Sequence, residues 1–311
     1  MWQVRGISKY RRKTKWPVVT IGMFDGVHLG HQEVLRNTIE RARLRNGEAI
    51  AVTFDKHPLR ILNHQSPRLI TSLDHRLVLF ERMGIDGTLI LHFDRRLCNM
   101  SASEFTERVL IRRIGARGVM LGFDSSFGRG AEGNAEFLRS YQPSGRFEVD
   151  IVPPVYVGDE PVSSTTIREA ILAGRLGEAK RMLGRRVSVL GTVVAGDGRG
   201  RGLGFPTANL DLHHEIRPPS GVYACWSRIA KRWYPSVTSI GPRPSFDIKV
   251  ASGNVEVHFL DFRRNIYGTS VEVQFVRRLR NQKLFVEVAD LKKRIAKDVE
   301  RARRVLRASR P

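Results

Sequence analysis

Val18-Val19-Thr20-Ile21-Gly22-Met23-Phe24-Asp25-Gly26-Val27-His28-Leu29-Gly30-His31-Gln32 decides how the first half of the chain folds. The β-branched run from Val18 to Ile21 predicts a central strand of a parallel sheet. Gly22, Gly26 and Gly30 permit a sharp turn and a close approach of backbone to ligand. Val34, Leu35, Thr38, Ile39 and Ala42 then recur at helical spacing, which puts His28 and His31 at a helix entrance. That entrance offers free N–H donors and partial positive charge, and two imidazoles there can donate to phosphate oxygens. A plain glycine turn with two surface histidines is the alternative. The joint pattern G-x-F-D-G-x-H-x-G-H between a strand and a helix weighs against it.

Downstream, residues 49–54 predict a second buried strand running into the loop Asp55-Lys56-His57-Pro58. A helix is expected around 76–83 and a strand over 87–93. Ser101 and Glu104 make a capping-box pattern for a helix reaching about Ile114. Residues 118–123 predict another strand, leaving into the loop Asp124-Ser125-Ser126-Phe127-Gly128-Arg129-Gly130. Alternating β and α elements argue for a parallel α/β sheet, whose ligands bind outside the strands' C-terminal ends. Ser163-Ser164-Thr165-Thr166-Ile167-Arg168 reads as a capped helix to about Ala173, with Arg168 in its first turn. A cation there opposes the helix dipole, and a bound phosphate would explain it.

A short helix over 176–183 ends at Gly184-Arg185-Arg186, and the character then changes to short β runs and turns. The domain boundary is expected there, giving 1–186 and 187–311. The segment from Gly196 to Gly204, with Gly198 and Arg199, resembles no P-loop but suits a backbone-lined anion cradle. Strands over 187–194, 221–229, 234–240, 254–262 and 270–276 predict a small closed β-barrel. Leu291, Ile295, Val299, Ala302 and Leu306 mark an amphipathic helix to cover it. Alternation puts Glu256 and His258 on one strand face, for which a solvated face is the simpler reading.

Composition narrows the classes. The 311 residues are enough for two cores, and no apolar run approaches transmembrane length. Cys98 and Cys225 are isolated, so neither a disulfide framework nor a zinc site is indicated, and a cytoplasmic setting fits. The net charge of +22 suggests polyanions. It is dispersed in short clusters, so anionic small ligands are favoured over specific nucleic acid, and no membrane partner is expected. The sequence leaves the oligomeric state open, a homo-oligomer included.

The HxGH element resembles that of nucleotidyltransferases, with a relative in class I aminoacyl-tRNA synthetases. The latter are disfavoured by the lack of a Lys-Met-Ser-Lys-Ser-like loop. The elements together resemble the bacterial bifunctional riboflavin kinase/FMN adenylyltransferases (FAD synthetases). In the first half the likeness rests on Gly22 to His31, His57-Pro58, Asp124 to Gly130 and Ser163 to Arg168. In the second it rests on Gly204-Phe205-Pro206-Thr207-Ala208-Asn209, Ile240 to Pro244, Glu256-Val257-His258, Tyr267-Gly268 and Leu279-Arg280 before Phe285.

The resemblance implies two ATP-dependent reactions: riboflavin to FMN in the barrel, then FMN to FAD and pyrophosphate in the sheet domain. It assigns chemistry to His28, His31, Arg168 and the base Glu256. It assigns ATP or phosphate contacts to Gly22, Phe24, Asp25, Gly30, Asp124, Ser164, Thr165, Gly196, Gly198, Arg199, Gly204 and Pro206. Flavin contacts fall to His57, Pro58, Phe127 and Arg280, and Mg²⁺ ligands to Thr207 and Asn209. Lys56, Ser125, Ser245 and Asn281-Gln282 depart from the family pattern. The rival readings are an enzyme retaining one activity, or a nucleic-acid-binding protein on the nucleotidyltransferase fold.

Overall fold

The computed structural model describes residues 1–12, 14–59, 67–141, 145, 147–196, 199–241, 254–283 and 285–311, without the side chains of Arg199, Arg201 and Asn254. By contacts it forms two compact units, Met1–Ser164 and Thr165–Pro311.

The first unit is built on a six-stranded parallel sheet: β1 (Trp2–Arg5), β2 (Pro17–Ile21), β3 (Glu48–Phe54), β4 (Gly87–Leu91), β5 (Gly118–Gly122) and β6 (Glu148–Val152). Its order is β1-β4-β3-β2-β5-β6. The inner strands read as unbroken apolar runs because both faces are covered. Val19, Ile21, Ile50, Val52, Leu89 and Val119 join one core with Phe105 and Leu110. Val18, Ala49, Ala51, Ile90 and Met120 join a second with Leu35 and Phe80. Helix α1 (Leu29–Leu44) buries Val34, Leu35, Thr38 and Ala42, the predicted face. α2 (Leu73–Met83) is capped by Ser72 and closed by Gly84 in the left-handed region.

Several expectations shift. β1 and β6 were not predicted; both are edge strands in which charged or polar residues alternate with apolar ones, the usual edge composition. β4 stops at Leu91 rather than Phe93, because the Phe93 N–H donates to Asp55 Oδ1 at 3.0 Å. Ser101 does cap its helix, accepting from the Glu104 N–H at 3.1 Å. That helix is only Ala102–Phe105, and Thr106–Ile114 continues as a π-helix.

From β2 the chain winds outward through β3 to β4, then returns to β5 on β2's other side. The β2/β5 crevice is therefore the topological switch point, where parallel sheets bind ligands. The two glycine-bearing loops of the sequence leave these two strands.

A two-stranded antiparallel hairpin, β7 (Tyr156–Val157) and β8 (Glu160–Pro161), comes next. Helix α3 (Ser164–Leu172) begins where the units divide and α4 (Leu176–Leu183) follows, ended by Gly184 at φ 66°. Arg168 is the fifth residue of α3, so it lies in the second turn, not the first. The dipole argument for it fails accordingly, since that effect fades within one turn.

The rest of the second unit is a closed antiparallel barrel, β10-β13-β12-β11-β14-β9. Its strands are β9 (Ser188–Val194), β10 (Ala208–Asp211), β11 (Gly221–Ile229), β12 (Arg232–Gly241), β13 (Asn254–Phe259) and β14 (Ser270–Arg280). β10 was not predicted. Tyr223, Cys225, Thr238, Val257, Val273 and Phe275 fill the interior. Burial there pushes the Cys225 thiol up to about 12, so it is an inert core residue. The other face, at Val222, Ala224 and Val237, is covered by Ala302 and Leu306 of α5 (Val288–Arg307), the predicted amphipathic helix.

Candidate functional site

At the C-terminal end of β2 the backbone turns through three positive-φ residues: Phe24 at 51°, Gly26 at 82° and Val27 at 41°. A β-branched residue there is a genuine outlier, and such strain gathers at sites. Several contacts hold it. Asp25, 3% exposed, accepts from the Ile70 and Thr71 N–H groups through Oδ1, at 2.8 and 3.0 Å. The Gly26 N–H donates to Thr71 Oγ1 at 2.8 Å. Ser164 Oγ donates to the Asp25 carbonyl at 2.9 Å. Asp25 is thus a brace of the turn, as is the Ser164 hydroxyl. The fully buried Arg76 ties the ends of β2 and β3 together, donating to the carbonyls of Met23 at 2.5 Å and Phe54 at 3.0 Å.

His28 is the N-cap of α1, and its Nδ1 accepts from the His31 N–H at 3.4 Å. An acceptor nitrogen carries no proton, so the neutral ring presents Nε2–H. The His31 ring stacks on it at 3.6 Å between centroids, and Phe24 abuts His31 edge-on. At Gly30 a Cβ would lie 3.3 Å from the His28 ring, so the glycine makes room for this stack. Gly22 remains in the ladder, donating to the Val52 carbonyl at 3.1 Å. Asp124 is exposed on the facing loop after β5.

Beside these loops lies an apolar cavity of about 330 Å³, lined by Phe54, Pro58, Phe93, Phe105 and Phe127 among others. Pro58 and Phe127 were expected at a flavin. His57 does not line the cavity; its Nδ1 accepts from the Leu59 N–H at 3.2 Å. Phe54, Phe93 and Phe105 were missed, since each reads as ordinary core in sequence. Thr165 is exposed on α3, and Arg168 lies one turn beyond Ser164 on the same helix.

In the barrel, register decides the geometry. Asn209 of β10 lies directly opposite Glu256 of β13, which lies opposite Ser239 of β12. Directly opposed residues share a face, so these three form one rung. His258, opposite Val237, is on that face too. Thr207 is exposed two residues before Asn209. A Cβ on Gly196 would lie 1.9 Å from Asn209 Nδ2, so the loop after β9 presses its backbone onto this amide. Gly204, at φ 85°, starts the exposed segment leading to Pro206 and Thr207. Gly198 and the Arg199 side chain lie outside the described residues, as does the stretch 242–245. A one-turn helix, Arg199–Gly202, stands in this loop.

A cavity of about 500 Å³ opens beside Pro206 and Thr207, bounded by Phe259, Phe262, Arg264 and Tyr267. Its far wall was not assigned from sequence. Arg280 is held apart from it: its Nε donates to the buried Asp298 of α5 at 2.7 Å, and its guanidinium lies 5.8 Å from the Phe285 ring centre. No cluster of three or more His, Cys, Asp or Glu side chains suited to a metal occurs among the described residues. A pair of neutral oxygens with substrate phosphates is instead the kind of donor set that Mg²⁺ accepts. Nor is any described helix long and apolar enough to cross a membrane.

Two family models match the chain, FAD synthetase over residues 11–166 and riboflavin kinase over 183–306. The bifunctional riboflavin kinase/FMN adenylyltransferase of Haemophilus influenzae is 34% identical, covering 97% of this chain and 98% of its own. Its counterpart in Escherichia coli K12 is 32% identical with 94% coverage of each chain. A crystal structure described as a macrolide-efflux protein from Streptococcus pneumoniae shares the fold, with a TM-score of 0.82, 32% identity and coverage of 97% and 99%.

Proposed function

The chain belongs to the bifunctional riboflavin kinase/FMN adenylyltransferase family, making FMN from riboflavin and FAD from FMN with ATP as co-substrate, and we propose which residues carry each step. The observation that carries the kinase assignment is the Asn209–Glu256 rung, with Thr207 two residues upstream beside the 500 Å³ cavity.

Residues 187–311 are the kinase. Glu256 takes the proton of the riboflavin primary hydroxyl as its oxygen attacks the γ-phosphorus of ATP, and ADP leaves. Thr207 and Asn209 offer oxygens to Mg²⁺. That ion, when bound, supplies positive charge against the phosphates. The loop from Gly196 through Gly204 approaches the phosphates with its backbone, and the larger cavity suits the nucleoside. Arg280, oriented by Asp298, faces the flavin.

Residues 1–186 are the adenylyltransferase. An FMN phosphate oxygen attacks the α-phosphorus of ATP, and the bond to the departing pyrophosphate breaks. No covalent enzyme intermediate is needed, so the protein aligns reactants and offsets charge. His28 through Nε2–H, His31 and the α1 N-terminus suit that charge. Thr165 and Arg168 are assigned to the pyrophosphate by family likeness alone, as Asp124 is to the nucleotide. The apolar cavity suits the isoalloxazine ring, which stacks on aromatics. A cytoplasmic site of action with no nucleic-acid partner fits these small anionic substrates.

One experiment tests both assignments: FMN and FAD followed separately in Glu256→Gln and His31→Ala. Glu256→Gln should lower FMN formation by about 10²–10⁴ while supplied FMN is still adenylylated. His31→Ala should do the reverse, costing roughly 10²–10³ in FAD formation. Wild-type turnover of the matching half-reaction in either folded variant would sink that assignment.

A further inference from the structure

His258 takes no part in the chemistry assigned above, yet it makes a specific contact to the segment that does. Its Nδ1 lies 2.8 Å from the Pro206 carbonyl oxygen, and its ring meets Phe205 edge-on at 5.5 Å. A carbonyl only accepts, so Nδ1 must carry the proton. This selects the tautomer opposite to that of His28. The contact joins β13, two residues past Glu256, to the residue immediately before Thr207.

Among the described residues, the segment Gly204–Thr207 has few other ties. Gly204 lies in the left-handed region, Pro206 has no N–H to give, and Gly204, Pro206 and Thr207 are exposed. Regular β10 pairing begins only at Ala208, opposite Val257. The Phe205 N–H is turned back to the Gly200 carbonyl, at 2.9 Å, which ties the segment to its own loop. The imidazole is thus the described link from Pro206 across to the strand that bears Glu256.

We propose that His258 is a positioning residue of the kinase: its Nδ1–H holds the Pro206 carbonyl and so fixes the Thr207 hydroxyl beside the Asn209–Glu256 rung. The proposal rests on the assignment of Thr207, Asn209 and Glu256 made above. Losing the link loosens Thr207 without removing the base, so the burden falls on the affinity for Mg-ATP more than on turnover.

Two substitutions separate donation from packing. His258→Phe keeps a ring against Phe205 and removes the donor. His258→Asn keeps an N–H the same number of bonds from the backbone and removes the ring. The Phe variant should raise the Mg-ATP KM about tenfold, as expected for one lost hydrogen bond, with kcat changed by less. The Asn variant should recover most of that loss, and FMN adenylylation should be unaltered in both. A Phe variant with wild-type Mg-ATP KM overturns the proposal, and so does an Asn variant as impaired as Phe. A measurement on the unmodified protein covers the case of poor folding: nitrogen NMR of neutral His258 should show the proton on Nδ1, and an Nε2–H tautomer overturns the idea. Thr207→Val and Glu256→Gln run in parallel. If both keep wild-type kinase parameters, the site assignment itself is wrong. If both are impaired while His258→Phe is not, only the role of His258 falls.

Discussion

Tyr10 packs its ring against Trp2 at 5.6 Å, is 1% exposed, and its hydroxyl has no hydrogen-bond partner among the described residues. Burial, and then the charge of Glu48, push its pKa up to about 12. A pKa raised on folding means stability that is complete below the unfolded value of about 10 and is lost as pH climbs toward 12. Tyr10→Phe removes both the unsatisfied hydroxyl and that alkaline sensitivity. It should leave urea stability at pH 7 unchanged or slightly higher, and widen its advantage over the parent at pH 11. A loss of more than about 2 kcal/mol at pH 7 would mean the hydroxyl has a favourable partner. At this scale the sequence was legible where neighbours along the chain decide. His28, Gly30 and His31 sit within one turn, and their place at a helix entrance followed from spacing. The bracing of the turn by Asp25 had no local signal, because its partners, Ile70 and Thr71, lie 45 and 46 residues away. The left-handed φ of Val27 had no signal either, since a β-branched residue argues against it.

Helix α5 is fastened to the barrel by two carboxylates of different character. Asp298 is buried and pairs with Arg280, whereas Asp261 is fully exposed and is held bidentately by Arg303 at 2.7 and 2.8 Å. The Arg303 hydrogen bonds hold the Asp261 carboxyl below its usual pKa. A depressed carboxylate contributes stability that is present above its unfolded value of about 3.9 and is lost as pH falls through the folded one. Asp261→Asn should therefore melt slightly below the parent at neutral pH, with the gap narrowing as pH falls below the unfolded carboxylate value of about 3.9 and shrinking in high salt. A gap unchanged to pH 2 would assign it to some other cause. Elements were readable in proportion to burial. The apolar runs of β2, β3 and β5 and the stripe of α5 were recovered. β1 and β6 were not, because edge strands carry charge. β10 is four residues following a glycine-rich loop, too short for alternation to register, although it bears Asn209. The π-helical stretch Thr106–Ile114 still buries Val109 and Leu110, so its apolar pattern gave no warning.

For the molecule as a whole, the contact division after Ser164 and the proposed functional boundary at 186/187 bracket α3 and α4. A fragment of residues 187–311 should make FMN from riboflavin and ATP but no FAD, because the residues proposed for the kinase all lie within it. If it is unfolded while 165–311 is active, the two helices belong to the barrel's stability. If both fold and bind neither riboflavin nor ATP, the domain assignment is wrong. Closure of the barrel has a further consequence, for how this sequence can vary by descent. A ring of strands has no end at which an extra residue can run off. With a side-chain period of two, an insertion in β10 would turn Asn209 inward or force a bulge. Length changes are tolerated instead in the connections 195–207, 212–220 and 260–269. Two of these border the 500 Å³ cavity, so lineages are free to retune its walls. What must be kept is the opposition of Asn209 and Glu256 across β10 and β13, whatever the length of chain between them.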